Sequence, residues 1–162
     1  MKHSIVRADL TCRKEVVKDT GWRNDDLPPR YGPYPHTRPC PARWEWRCLI
    51  VDGGQGARFR MLLEVSPQLG KWKAMLIRDG ETPVALMRFE DQPGSQGGLH
   101  IHANCDTNGD LTGAESIMMA YTLPDHGRRR RRRLSWTKAM FCRASSDFFR
   151  VNFPAEQEEL PL

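Results

Sequence analysis

From residue 43 onward apolar and polar residues alternate, which places every second side chain on one face of an extended strand. Trp44, Trp46, Cys48 and Ile50 share a face in the first run, which stops at Asp52-Gly53-Gly54. Phe59, Met61, Leu63 and Val65 alternate with Arg58, Arg60 and Glu64 in the second, which ends at Ser66-Pro67. A third run over residues 72–78 ends at Asp79-Gly80, a strong hairpin signal, and a fourth over 84–90 ends at Pro93-Gly94. Residues 99–103 and 116–123 predict a fifth and a sixth strand separated by the Asn108-Gly109 turn. Short runs joined by turns specify an antiparallel meander of about five to six strands with one buried face.

The period changes near the end of the chain. Ser135 is a good N-cap, and Trp136, Met140, Ala144, Phe148 and Val151 then recur at helical spacing, with Lys138, Arg143, Asp147 and Arg150 largely on the other side. The pattern predicts a helix over about 136–150 packed on the apolar face of the sheet, an α+β fold. Residues 4–18 suit a short helix or a strand, since Ile5, Val6, Leu10, Val16 and Val17 fit neither period. Six prolines between residues 21 and 41 remove backbone donors and favour extended geometry, which predicts a polyproline-like arm or a wrapped loop. The domain reading is an N-terminal segment and arm over 1–42, a single α+β domain over 43–153 and an acidic tail over 154–162.

The 162-residue chain has the size of one domain; with 39% hydrophobic and 28% charged residues, it is neither mainly disordered nor a membrane protein. No run approaches the ~18 apolar residues of a spanning helix, and the first ten residues lack a signal peptide's apolar stretch. A soluble, cytoplasmic protein with no membrane partner is expected. Five cysteines, odd in number and without a C-x-x-C pair, argue against a disulfide framework and a zinc ribbon. The net charge of +5 is a local feature: without the run Arg128, Arg129, Arg130, Arg131, Arg132 and Arg133, nineteen cations face twenty carboxylates.

That run is costly unless solvated or matched by anions, and phosphates are the obvious match because arginine binds them in bidentate fashion. Lys138 adds charge, and Tyr31 and Tyr34 on the arm could stack on unpaired bases. A nucleic-acid partner, RNA or a single strand, is therefore expected. The alternatives are that the run pairs with the protein's own acidic middle or a partner protein, and that the arm packs over the sheet.

His100 and His102 are the sharpest chemical signal, because residues two apart on a strand point to the same face. Arg88 and Glu90 share a face at the end of the preceding run, and a hairpin return would bring them beside the histidines. The four could supply an acid, a base and a phosphate-stabilising cation, although a salt bridge explains Arg88 and Glu90 equally well. No G-x-S-x-G, P-loop or G-x-G-x-x-G is present.

Two resemblances follow from these residues. Gly94, His100, His102, Asp106 and Gly113 are spaced as in the first cupin motif, with Asp where that family has Glu. The resemblance implies a divalent metal on His100, His102 and Asp106. Over residues 58–150, the amphipathic strands, Trp72-Lys73-Ala74-Met75, Arg88-Phe89-Glu90, the histidine pair and the helix opening at Ser135-Trp136 resemble small prokaryotic proteins that include TumE-type toxins of toxin-antitoxin modules. With this second resemblance the first reading is a small prokaryotic or phage protein of a defence or toxin-antitoxin context that binds nucleic acid, RNA or a single strand, with Arg88, Glu90, His100 and His102 as its active cluster if it is an enzyme. A metal-dependent cupin-like enzyme is the alternative. A further one is a non-enzymatic interaction protein, either a phage-encoded inhibitor or a subunit of a ribonucleoprotein complex.

Overall fold

The computed structural model describes residues 3–92, 98–103 and 135–153. Helix α1 (His3–Thr11) and strand β1 (Lys14–Asp19) come first, and an irregular arm over residues 20–44 follows. Then come β2 (Glu45–Asp52), β3 (Arg58–Ser66), β4 (Lys71–Arg78), β5 (Val84–Gln92), β6 (Gly98–Ala103), helix α2 (Lys138–Phe149) and β7 (Val151–Asn152). The strands form one seven-stranded sheet in the order β6-β5-β4-β3-β2-β1-β7. Neighbours are antiparallel except β1 and β7, which run parallel. This is the α+β meander with a C-terminal helix that the alternation specifies. Residues 4–18 supply both a helix and a strand, one after the other. Between β3 and β4 the chain turns through Pro67–Leu69 and closes on Gly70 at φ 62°, a left-handed conformation suited to glycine. The expected strand over 116–123, the Asn108-Gly109 turn and the 154–162 tail lie outside the described residues.

The strand registers sort the side chains onto two faces. Val51, Phe59, Leu63, Leu76, Phe89 and Ile101 lie on the first, packed with Val6 and Leu10 of α1 and Phe141 and Phe149 of α2. Phe89 stacks on Phe141 and Phe148 at centroid distances of 5.8 and 5.1 Å. The second face carries Trp46, Cys48, Leu62, Met75 and Ile77, and the arm covers it with Leu27 and Tyr31. The sheet is therefore buried on both sides, where its sequence predicts one solvated face. Arg60 and Glu64 cause the difference. They alternate with apolar residues as solvent-facing charges would, yet both are buried and matched under the arm. Arg60 donates to Asp79 Oδ1 (2.6 Å) and, through Nη1, to the carbonyls of Gly32 (2.9 Å) and Pro29 (3.3 Å).

Helix α2 starts later and turns a different stripe inward than its spacing predicts. Its N-cap is Thr137, whose hydroxyl accepts from the Met140 amide at 3.1 Å, and not Ser135. Phe141, Cys142, Ser145, Ser146 and Phe149 are buried, while Met140 is half exposed. Two phenylalanines bury more apolar area than Met140 and Ala144, so the rings set the helix phase. The Trp136 indole donates to Asp91 Oδ2 (2.9 Å) and anchors the helix start on β5.

At the other edge, Arg47 donates to both oxygens of Asp19 and lies between the rings of Trp22 and Phe153, 5.8 and 5.0 Å away. Although desolvation opposes it, this fork together with the Gly21 amide holds Asp19 below the usual carboxylate range. Of the described residues, no helix is long and apolar enough to cross a membrane.

Candidate acid–base face

On the second face a row of ionisable residue types crosses four strands in register. Glu64 of β3 pairs in register with Lys73 of β4, Lys73 with Glu90 of β5, and Glu90 with His100 of β6. One step along, Arg88 pairs with His102. Directly opposed residues on adjacent antiparallel strands have Cβ atoms roughly 5 Å apart. The backbone thus brings together the four residues singled out in the sequence. Arg88 Nε lies 3.0 Å from Glu90 Oε2, so the salt bridge that competes with a chemical role is present, and the Gln92 amide also donates to Glu90, at 3.2 Å.

Three residues that the sequence reading passed over extend this row under the arm: Arg38, Glu64 and Lys73. Lys73 Nζ lies 2.6 Å from Glu64 Oε2, and Arg38 pairs with the other oxygen of that carboxylate. The available signal was a lone charge inside each of two apolar runs, Met61-Leu62-Leu63-Glu64-Val65 and Trp72-Lys73-Ala74-Met75. These residues line one end of a cavity of about 330 Å³ between arm and sheet, whose walls include Leu27, Trp44 and Trp46. Cys40 also lines it, but burial pushes its thiol above the ordinary value, so it is not an activated nucleophile.

Burial, reinforced by Arg38, lowers Lys73 to about 8. An unfolded lysine titrates near 10.5, so between these values the unfolded chain binds more protons and folding stability rises with pH. Cys48, pushed up to about 12 by burial, acts in the opposite sense above its ordinary 9.0. Stability from pH 8 to 9 should therefore increase by about 1 kcal/mol more in the native protein than in Lys73→Met, a comparison in which Cys48 cancels. Urea unfolding at the two pH values measures this, and equal increments in both proteins would refute the assignment.

Other sequence-stated candidates occupy varied places. Tyr31 is turned from the arm into the core, its ring 5.6 Å from that of Trp46, and has no open face for a base. Tyr34 is half-buried, near His36 and under the Arg38 guanidinium. Lys138 is paired with Glu45 at 3.0 Å and lies 5.3 Å from the Trp22 ring. Arg128, Arg129, Arg130, Arg131, Arg132, Arg133 and Asp106 lie outside the described residues. Among the described residues, no group of three His, Cys, Asp or Glu is placed to hold a metal ion. No protein-family model, curated protein or solved structure matches the chain.

Proposed function

We propose that this protein binds RNA and cleaves its phosphodiester backbone at Arg88, Glu90, His100 and His102, in a prokaryotic or phage defence or toxin-antitoxin setting. One observation carries the reading: the β5–β6 register sets Glu90 opposite His100 and Arg88 opposite His102. Imidazole is the side chain whose free form titrates closest to neutral pH, so a pair of histidines can divide acid and base work there. One takes the proton of the ribose 2′-hydroxyl as its oxygen attacks phosphorus. The other protonates the departing 5′-oxygen, leaving a 2′,3′-cyclic phosphate. Glu90 orients its histidine, and Arg88 offsets the charge gathering on the phosphoryl oxygens. The six arginines hold flanking phosphates, and the chain re-enters the described fold at Ser135, two residues beyond them and next to the Trp136–Asp91 anchor.

The test is a labelled single-stranded RNA of about twenty nucleotides, followed for binding and cleavage. Affinity should fall steeply with salt, and replacing Arg128 to Arg133 with glutamine should flatten that slope. His102→Ala should cut cleavage at least a hundredfold with binding retained. Deoxyribose substrate should bind and stay intact. A salt slope indifferent to the arginines, or cleavage indifferent to both histidines, would remove the reading.

A further inference from the structure

The cavity between arm and sheet has the makings of a second site. Its volume of about 330 Å³ matches a small-molecule pocket, and it is lined mainly by apolar groups with a few polar ones at one end. Leu27 and Trp46 are buried, and Trp44 is half-buried beside them. At the polar end the Glu64 side chain, only 7% exposed, is shared by Arg38 and Lys73. Glu45, the other carboxylate of the lining, is paired with Lys138 at 3.0 Å, which leaves two cations facing Glu64. Arg88 and Glu90 on the next strand pair with each other and leave that excess of one positive charge unchanged. An arginine and a lysine together carry eight N–H donors, more than one carboxylate can accept.

We infer that this cavity binds a small organic anion, its flat apolar body between Trp44, Trp46 and Leu27 and its carboxylate or phosphate on Arg38 and Lys73. The inference is independent of the RNA reading, since it rests on the arm, β3 and β4. The charged and titratable groups around Lys73 are Arg38 and Tyr34 from the arm, Glu64 from β3 and Arg88 and Glu90 from β5. Burial and the two guanidinium groups push its proton off, and a bound anion pulls it back on. Binding therefore favours the protonated amine and weakens as pH rises past 8.

Calorimetric titration of the full chain at pH 7 with 2-naphthoate and with adenosine 5′-monophosphate tests this, against the neutral 2-naphthalenemethanol and adenosine. At least one anion should bind, tenfold or more tightly than its neutral counterpart, and whichever binds identifies the carboxylate or the phosphate as the natural group. Lys73→Gln should cost that anion at least tenfold, and Lys73→Arg should restore most of it. If Lys73→Gln does not fold, Arg38→Gln carries the same expectation from the arm. Affinity should drop at least threefold between pH 7 and 9. Equal binding of neutral and anionic partners, or no binding of either anion at 10 mM, would overturn the inference.

Discussion

Replacing Lys14 with methionine should destabilise the protein by about 3 kcal/mol and loosen both helices together. Lys14 is the first residue of β1, and its side chain is completely buried. Its Nζ donates to the carbonyls of Cys12 and Phe149, each at 2.9 Å, with Leu10 O at 3.5 Å and the Phe59 ring 5.2 Å away. Leu10 lies in the last turn of α1 and Phe149 closes α2. The final carbonyls of a helix have no partner within it and carry the negative end of its dipole, so one ammonium answers two helix ends. Desolvation lowers the lysine's pKa, a cost that methionine would relieve. The carbonyls would then be buried without a donor, at about 1–3 kcal/mol each, and that loss exceeds the relief. Urea unfolding gives the magnitude, and amide exchange in both helices reports the coupling. A midpoint within error of the native one would show that the carbonyls find other donors.

Arg60→Met should cost about 3–5 kcal/mol, because it strands Asp79 as a partly buried carboxylate and releases two carbonyls of the arm. Its effect should be directional. The sheet core on the helix side takes from the arm no more than Trp22, partly buried at its margin. Leu27 and Tyr31, by contrast, stay seated on the second face only while residues 29–32 are held down. Brief trypsin treatment should therefore cut after the exposed Arg30 in the variant well before the native chain is touched. Arg60→Lys keeps the charge but not the fork that reaches Asp79 and Gly32 at once, and it should recover less than half of the loss. Equal cleavage rates for variant and native protein would show that the arm is held by its apolar contacts alone.

The strands were legible because the meander is local. Each run is bounded by its own turn, and β4 and β5 begin and end within two residues of the alternation that announces them. The Arg88–His102 and Glu90–His100 pairs were legible for the same reason, since a hairpin register follows from neighbouring runs. Burial of the second face was not. Alternation marks a charge as different from its apolar neighbours, but cannot tell solvent from an ion pair beneath a loop, and Arg60, Glu64 and Lys73 all have such partners. Helix phase failed where two apolar stripes compete, Met140-Ala144-Phe148 against Phe141-Ser145-Phe149, and the aromatic pair with the wider contact surface took the core. Strand β1 stayed undecided between helix and strand because only its first residue is fully buried, and that residue is a lysine.

The parallel pairing of β1 with β7 has a consequence for how the chain is made. Lys14 and its acceptor Phe149 are separated by 135 residues, so the earliest strand cannot complete its contacts until almost the whole described chain has left the ribosome. The arm is synthesised before the strands it covers and can settle on them as they emerge. The opposite face, with Phe59, Leu63 and Phe89, has α1 with Val6 and Leu10 to pack on it but waits for α2 to complete its cover. A nascent chain halted before Lys138 would expose an apolar sheet surface to its neighbours, which makes the final helix the step that separates productive folding from aggregation.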